Sequence, residues 1–342
     1  MTPPPELPGG GVLVCTPGSA MSDTIETGAA APPDIADDVL VRRHAALQRR
    51  LAVEERHLRV PGSEDDALDL KMKIAIPGLT WLLKLSGLWN TARANATKLH
   101  LRHLEWRVPG LPADLDGFTI LHVSDLHYPR KNNGYAEAVE ALLDGVEADL
   151  AVFTGDYRYG HLGETDHVPR HLASLLSRIR TQHGAYGILG NHDTHDMAEP
   201  LRSTGLRLLI NEGTEVEVGG TRLWLAGSDD PHSMKADDFG AALQGSEPGD
   251  FVVALVHTPE LAHQAAAAGA RLYFCGHTHG GQVCVPGWGP IETNCRMPRK
   301  YLHGEWEHDG MLGLTTAGLG TTDVPVRLNC PAEAHRITLR RA

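Results

Sequence analysis

Short apolar runs separated by turns and helical stretches make up the chain beyond Trp106, and they limit the folds open to it. Runs of this length suit buried strands and are too short for buried helices. We predict such strands at Phe118 to Ser124, Leu150 to Thr154, Tyr186 to Leu189, Phe251 to Val256 and Leu272 to Cys275. Strands that are apolar throughout are typical of a sheet covered on both faces.

Helical patterns between the strands supply the covering elements. They lie at Tyr135 to Val146, His167 to Arg180 and Pro259 to Ala268. Glu215 to Val218 and Thr221 to Ala226 flank Gly219-Gly220, and this spacing predicts a β-hairpin. The alternation predicts the α/β class, with layered sheets inside and helices outside.

A side chain able to bind a metal follows each of the five predicted strands. In chain order these are Asp125 and His127, then Asp156, then Asn191 with His192 and Asp193, then His257, then His277 and His279. Taken alone, an Asp-x-His pair is usually a solvated turn and a single histidine is usually structural. Five successive strand ends of this kind instead predict one crevice, at the edge where α/β sheets place their ligand sites.

The ordered motifs resemble those of the calcineurin-like metallophosphoesterases. The similar motifs are Asp125-x-His127, Gly155-Asp156, Gly190-Asn191-His192-Asp193, His257 and Gly276-His277-x-His279. The resemblance covers the chain from about Trp106 to its carboxyl terminus, and it implies a four-layer β-sandwich flanked by helices. Four motifs in the tail are similar to a bacterial phosphodiesterase branch that includes UDP-2,3-diacylglucosamine pyrophosphatases. They are Gly280-Gly281-Gln282, Arg299-Lys300-Tyr301, Gly318-Leu319-Gly320-Thr321-Thr322 and Pro325-Val326-Arg327.

By this resemblance the crevice holds two divalent metal ions. One ion would be bound by Asp125, His127, Asp156 and His279, and the other by Asp156, Asn191, His257 and His277. A carboxylate shared by both ions, here Asp156, offsets their mutual repulsion. A shell of imidazole, carboxylate and amide groups without thiolate favours manganese, iron or zinc.

The resemblance also implies a reaction, the hydrolysis of a phosphodiester or pyrophosphate by a hydroxide that bridges the two ions. His192 would protonate the leaving oxygen. One departure concerns the run from Gly155 to Gly160, which lacks the acid that orients the catalytic histidine in the protein-phosphatase branch. This disfavours a protein phosphatase and leaves Asp193, His195 and Asp196 as candidates to orient His192.

Two other functions stay open, a non-catalytic metal-bound scaffold and a phosphomonoesterase or protein phosphatase. The expected substrate is a phosphorylated small molecule or a nucleotide–lipid conjugate. Arg299 and Lys300 are candidates to bind its phosphate, although solvated surface charge explains them equally well. A net charge of −12 argues against a nucleic-acid partner.

The region before Trp106 has a different sequence pattern, without the alternation of short apolar runs and helical stretches. We expect residues 1–33 to be disordered, 34–104 to form a helical extension and 105–342 to form the catalytic domain; Met1 and Met21 are both candidate starts. In the helix predicted at Asp34 to Leu58, one stripe carries Leu40, Leu47, Leu51 and Leu58. Because the motifs begin later, we expect this extension to be unnecessary for building the metal site.

Ile74 to Trp89 is apolar but interrupted by Pro77-Gly78 and Lys84, and it is too short to span a bilayer. It is either a buried cap on the catalytic domain or a peripheral membrane contact through residues 71–91, with Trp81 and Trp89 at the interface. The cysteines form no CxxC pair, so we expect reduced thiols rather than a zinc ribbon. The expected location is the cytoplasm, at the inner membrane surface if the second interpretation holds.

Overall fold

A computed structural model describes residues 37–59, 76–131, 133–160, 163–292 and 294–342. The disorder expected for residues 1–33 lies outside these ranges, as do Lys71, Lys73 and the start of the apolar segment at Ile74.

Sixteen strands are assigned in the described residues. They are β1 Leu99–Val108, β2 Thr119–Val123, β3 Glu147–Ala148, β4 Leu150–Phe153, β5 Arg180–Thr181, β6 Ala185–Gly187, β7 Arg207–Leu208, β8 Glu212–Val218, β9 Thr221–Gly227, β10 Phe251–Leu255, β11 Leu272–Cys275, β12 Cys284–Val285, β13 Gly289–Pro290, β14 Gly304–His308, β15 Met311–Thr315 and β16 Ala332–Arg341. The helices are α1 Asp37–Arg59, α2 at residues 76–85, α3 Trp89–Ala96, α4 Tyr135–Leu143, α5 His167–Leu176, α6 Ala198–Arg202, α7 Phe239–Ala242 and α8 Ala262–Ala267.

Most strands belong to two six-stranded sheets. The first sheet has the order β1-β16-β2-β4-β6-β7, and the second has the order β14-β15-β11-β10-β9-β8. In the first sheet β2, β4 and β6 are parallel neighbours. In the second sheet β9, β10 and β11 are parallel neighbours. The loops that follow these strands therefore leave each sheet at a single edge.

The two sheets pack face to face around a shared apolar core. Ile120 and Val152 from the first sheet meet Leu225, Val253 and Phe274 from the second. The outer face of the first sheet is covered by α4, α5 and α6, and the outer face of the second by α7 and α8. The order helix, sheet, sheet, helix confirms the predicted four-layer α/β architecture. All five predicted strands form, and the predicted hairpin forms with Val218 paired to Thr221.

The amino-terminal segment joins this architecture more closely than expected. The predicted boundary between residues 104 and 105 falls inside β1, which pairs with β16 along its whole length. The α1 helix also packs on the catalytic core, through Ala46 and the partly buried Leu47 of the leucine stripe. Its buried residues are Ala46 and Arg50, whereas Leu40 is 45% exposed. Of the leucine stripe, Leu47 therefore contacts the core and Leu40 lies largely in solvent.

The α2 helix covers a small apolar cluster formed by Leu83, Ala92, Val283, Val324 and Val326. Pro77 and Gly78 lie within its helical residues and do not interrupt it. One face of α2 is buried, as the interpretation of a buried cap expects, and the other is exposed; contact with a membrane stays a prediction. Among the described residues, no helix has both the length and the apolar character needed to cross a bilayer.

Candidate metal centre

The predicted ligands come from the loops that follow β2, β4, β6, β10 and β11. Because these strands are parallel neighbours within their sheets, the loops converge where the edges of the two sheets meet. The convergent residues are Asp125, His127, Asp156, Asn191, His192, His257, His277 and His279, and all of them are buried. Buried charge and imidazole on this scale need compensating partners, which makes the cluster a functional candidate.

The backbone of the cluster is unusual. Asp125, His127, Asp156, His277 and His279 all have positive φ angles, between 42° and 67°. Non-glycine residues adopt this conformation rarely, and when they do they cluster at active sites. The left-handed turns after β2, β4 and β11 aim these side chains into the crevice.

Neighbouring loops approach the two carboxylates closely. A Cβ atom on Gly276 would lie 2.0 Å from Oδ2 of Asp125, and one on Gly190 would lie 2.2 Å from Oδ1 of Asp156. Both separations are far below van der Waals contact, so a side chain at either glycine would displace a carboxylate. This explains why glycine precedes Asn191 and His277 in the motifs.

One group of ligand atoms surrounds Asp125. Its Oδ1 lies 3.4 Å from Nε2 of His279 and 3.9 Å from Nε2 of His127. The Nε2 atoms of His127 and His279 are 3.1 Å apart. These three residues can jointly hold a metal ion.

A second group surrounds Asn191. Its Oδ1 lies 3.0 Å from Nε2 of His257 and 2.9 Å from Nδ1 of His277. Asp156 joins the two groups, since its Oδ2 lies 3.5 Å from Nε2 of His127 and 3.3 Å from Nε2 of His257. One carboxylate oxygen therefore faces ligands of both groups.

Backbone carbonyls fix the orientation of the imidazoles. Nδ1 of His127 donates to the carbonyl of Arg158 at 2.9 Å, and Nδ1 of His257 donates to that of Thr154 at 2.7 Å. Nε2 of His277 donates to the carbonyl of Asn294 at 2.9 Å. A carbonyl accepts only a protonated nitrogen, so the other ring nitrogen of each histidine is directed into the cluster. This arrangement is typical of metal-ligating histidines, and the donor set fits divalent ions.

The electrostatics of the cluster also favour cations. Although burial opposes the charged form, the carboxylates of Asp156 and Asp125 raise the pKa of His257 to about 10. Burial, together with the charge on His257, lowers the pKa of His277 to about 4. Burial and the neighbouring His127 lower the pKa of His279 well below its usual value. The two carboxylates thus attract positive charge, and two of the histidines are neutral ligands at pH 7.

His192 lies beside the cluster, as predicted. Its Nε2 is 3.9 Å from Oδ2 of Asp156, and its ring packs edge-on against His127 at 4.8 Å. Its backbone N–H donates to Oδ1 of Asp156 at 2.8 Å. The same distances group His192 with His127 and Asp156 as a metal-competent set, so the geometry allows a ligand role as well as an acid role.

Two of the three candidates to orient His192 make hydrogen bonds to other groups in the structure. Asp193 accepts hydrogen bonds from the backbone N–H groups of Asp156, Gly190 and Tyr157, at 2.8 to 2.9 Å. His195 binds Glu54 of α1 through its own N–H and through Nδ1. Asp196 is exposed. Asp193 therefore holds the ligand loops together through their backbones.

Arg299 and Lys300 lie on an exposed 3₁₀ turn. Arg299 donates to the carbonyl of Trp288 at 2.7 Å and lies over its ring, and Lys300 lies over the ring of Tyr301. Their assignment to substrate phosphate stays a prediction. His122 is fully buried, with Nε2 2.9 Å from Oγ1 of Thr154, and lies in the core rather than among the ligands.

Several residues around the cluster were not identified from the sequence. Asp229 follows β9, and an acid after a predicted strand is the same signal that marks the other ligands. Arg327 belongs to the tail motif Pro325-Val326-Arg327. It is fully buried and donates to the carbonyls of Ala317 and Gly318, in the loop that packs against Asp125. Arg50 had no recognisable signal, because it lies among exposed-looking charges on a predicted surface helix.

Comparison with known proteins identifies similar sequences. Residues 118–281, which contain all the predicted ligands, match the family model for calcineurin-like phosphoesterases. The uncharacterized metallophosphoesterase YkuE of Bacillus subtilis is 28% identical, over 67% of this chain and 82% of its own length. The phosphodiesterase YaeI of Escherichia coli is 28% identical, over 65% of this chain and 82% of its own length.

A more distant relative carries a specific activity in its name. The UDP-2,3-diacylglucosamine pyrophosphatase LpxG of Chlamydia trachomatis is 23% identical, over 62% of this chain and 77% of its own length. Among solved structures, a phosphopantetheinyl hydrolase of Mycobacterium tuberculosis aligns with a TM-score of 0.37 and 13% identity, over 60% of this chain and 91% of that one.

Proposed function

The chain contains a calcineurin-like metallophosphoesterase domain and is a metal-dependent phosphoesterase, and from that premise we propose that it cleaves a phosphodiester or pyrophosphate bond with two divalent ions. The proposed ligands are Asp125, His127, Asp156 and His279 for one ion and Asp156, Asn191, His257 and His277 for the other. Manganese, iron and zinc suit this set of imidazole, carboxylate and amide donors.

The position of Asp156 carries the proposal. Its Oδ2 lies within 3.5 Å of a ring nitrogen of His127 and within 3.3 Å of one of His257, and these histidines belong to different ligand groups. A carboxylate placed between two groups of metal-binding donors is what a pair of dications needs in order to be held close together. A single ion would leave one of the groups without a function.

Two ions bound there would lower the pKa of water for attack at phosphorus and would offset the charge of the phosphate oxygens. The protein's own part in the reaction is to bind, orient and move protons. Asp156 and Asp125 would hold the ions, and hydrogen bonds to backbone carbonyls keep the other ring nitrogens of His127 and His257 directed inward. His192 is close enough to the cluster to donate a proton to the leaving oxygen.

The names of the relatives support a substrate class. YaeI is named a phosphodiesterase and LpxG a pyrophosphatase that acts on a nucleotide–lipid. For this chain we accordingly propose a phosphorylated small molecule or a nucleotide–lipid conjugate, with Arg299 and Lys300 as the groups that meet its phosphate or head group. The exposed guanidinium of Arg299, beside Trp288, is suited to bidentate hydrogen bonding with a phosphate.

An exposed apolar surface supports contact with a membrane. On α2, Trp81 is 66% exposed and Leu85 is 65% exposed. The hairpin of β12 and β13 adds Trp288, which is 62% exposed, and this hairpin follows Val283 of the cluster that α2 covers. Exposed tryptophans and leucines together are typical of surfaces that lie on lipid. We propose that α2 and this hairpin rest on the inner membrane surface when the substrate is a lipid.

The replacement Asp156→Asn tests the two-ion assignment. It removes the charge that both ions share, so we expect hydrolysis of bis-p-nitrophenyl phosphate with added Mn²⁺ to be lost and at least one ion to be released. Elemental analysis of the purified variant measures the second effect. The control is Asp144→Asn, at an exposed carboxylate after α4, which should keep both properties. Two bound ions and normal turnover in Asp156→Asn would refute the assignment.

The replacement His192→Ala separates the acid role from the ligand role. An acid that protonates the leaving oxygen matters most for poor leaving groups, where we expect turnover to fall by about 10²- to 10⁴-fold. With a p-nitrophenolate leaving group the loss should be much smaller, and metal content should stay at the wild-type value. Loss of an ion in His192→Ala would instead assign His192 as a ligand.

A further inference from the structure

The side chain of Arg50, on α1, is completely shielded from solvent. A buried guanidinium must find acceptors for its donors. Its Nε donates to the carbonyl of Asp193 at 3.0 Å, and its Nη2 donates to the carbonyls of Gly190 and Asp193. These two carbonyls lie on either side of Asn191 and His192. The guanidinium therefore binds both ends of the segment that carries a proposed ligand and the proposed acid.

The other side of the same guanidinium reaches the second sheet. Nη1 donates to Oδ1 of Asp229, which follows β9, whereas Gly190 follows β6 of the first sheet. Arg50 thus connects the loop edges of the two sheets next to the metal cluster. Asn191, from the first sheet, must meet His257 and His277 from the second, at 3.0 and 2.9 Å. A connection between the two sheets at this point therefore holds Asn191 in contact with His257 and His277.

A second buried arginine supports the opposite side of the cluster in the same way. Arg327 donates through Nη2 to the carbonyls of Ala317 at 2.7 Å and Gly318 at 3.1 Å. The loop it holds packs on Asp125, since Gly320 N donates to the carbonyl of that residue at 2.7 Å. Each ligand group is therefore backed by a loop whose carbonyls bind a buried guanidinium.

We propose that Arg50 is a positioning residue for the metal centre. From α1 it holds the segment of Asn191 and His192 against Asp229, and this keeps Asn191 in place between His257 and His277. The inference rests on the proposed two-ion function and adds a residue outside 118–281, the part matched by the family model. It makes α1 a support of the metal centre, contrary to the expectation that the residues before Trp106 are unnecessary for it.

The loss of the charge of Arg50 and the loss of its positioning role predict opposite changes in metal affinity when this residue is replaced. Removing a positive charge near two dications, and freeing the carboxylates of Asp229 and Glu54, would strengthen cation binding by electrostatics alone. Loosening the segment that carries Asn191 would instead weaken cation binding. Support for metal ligands from outside the coordination shell is commonly worth about 10- to 100-fold in metal affinity. A fall in affinity therefore identifies positioning.

The experiment is a metal titration of the full chain carrying Arg50→Met. Metal-free protein is equilibrated by dialysis with Mn²⁺ or Zn²⁺, and the bound ions are counted by elemental analysis while circular dichroism confirms the fold. We expect two ions in the wild-type protein, and in the variant one ion bound as before and the second bound about 10- to 100-fold more weakly.

The matched control is Arg43→Met on the same helix. Arg43 pairs with Glu212 through Nε and Nη2 at 2.8 and 2.9 Å, so its loss weakens the attachment of α1 without touching the segment of Asn191. Its metal affinity should equal that of the wild type. Equal affinities in Arg50→Met and Arg43→Met would overturn the inference and leave the two-ion function standing. Failure of the wild-type protein to bind a second ion would overturn the proposed function itself.

A second variant covers the case in which Arg50→Met does not fold. Arg50→Lys keeps the buried charge but cannot reach two carbonyls and a carboxylate with the fixed fork of a guanidinium. We expect it to fold and to bind the second ion several-fold more weakly than the wild type. Wild-type affinity in folded Arg50→Lys would overturn the positioning role.

Discussion

The two amino-terminal helices α1 and α2 attach to the catalytic core by different means. α1 buries Ala46 and Arg50 and is fixed by directional polar contacts, among them the bidentate pair of Arg43 with Glu212. α2 is held by the apolar side chain of Leu83, which is 3% exposed, while its outer face leaves Trp81 largely in solvent. Both helices lie outside the segment matched by the family model.

The difference between polar and apolar attachment determines which further role each helix can have besides packing on the core. Hydrogen bonds and ion pairs with fixed geometry define one position for α1. Because Arg50 on α1 binds the loop of Asn191, this position also fixes the position of that loop. Apolar contact is not directional, so α2 can cover its cluster and still present surplus apolar surface to another partner. We therefore propose support of the metal centre for α1 and contact with lipid for α2.

The largest expected effect comes from placing the same charge on the two helices. Ala46 is 1% exposed and Leu82 is 58% exposed. Ala46→Glu buries an unpaired carboxylate and should lower the free energy of unfolding by about 3–5 kcal/mol. Leu82→Glu should change it by less than about 0.5 kcal/mol, because the side chain stays in water. Urea denaturation measures both. Similar losses in the two variants would contradict the contrast between the helices.

The catalytic part of the fold was accessible to sequence reasoning because its signals are local. Each buried strand is a short apolar run, and each ligand such as Asp156 or His257 stands directly after one. The two sheets then follow from the need to cover both faces of each strand. The ligand grouping came from the family resemblance, and the structure brings the same residues together.

The residues that support the metal centre could not be predicted from the sequence, because the contacts that define them join distant parts of the chain. Arg50 and Asp229 are 179 positions apart, and nothing in the pattern of either segment refers to the other. On α1 the leucine stripe gives no indication of Arg50, which is fully buried although Leu40 of the stripe is exposed. A buried arginine is indistinguishable from a surface arginine until its carbonyl partners are placed in space.

A smaller effect tests whether α2 is truly attached to the core. Leu83→Ala should lower the free energy of unfolding by about 2–3 kcal/mol, because it opens a cavity among Ala92, Val283 and Val326. The matched change Leu82→Ala, on the exposed face, should cost less than about 0.5 kcal/mol. If both changes are neutral in urea denaturation, α2 is not packed on the core in solution.

The smallest expected effect concerns lipid, and it compares identical substitutions on the two helices. Leu85 on α2 is 65% exposed, and Leu40 on α1 is 45% exposed. If α2 lies on the membrane, Leu85→Ser removes about 40 Å² of buried apolar area, or about 1 kcal/mol, which weakens vesicle binding about fivefold. Leu40→Ser should leave binding unchanged, because Leu40 lies on α1 and not on the proposed lipid-facing surface of α2 and the β12–β13 hairpin. The measurement is co-sedimentation of the full chain with vesicles that contain anionic lipid, at low salt, where Lys84 adds attraction. Equal losses for both variants, or no binding by the wild-type chain, would remove the lipid role from α2 and leave its exposed face without the proposed partner.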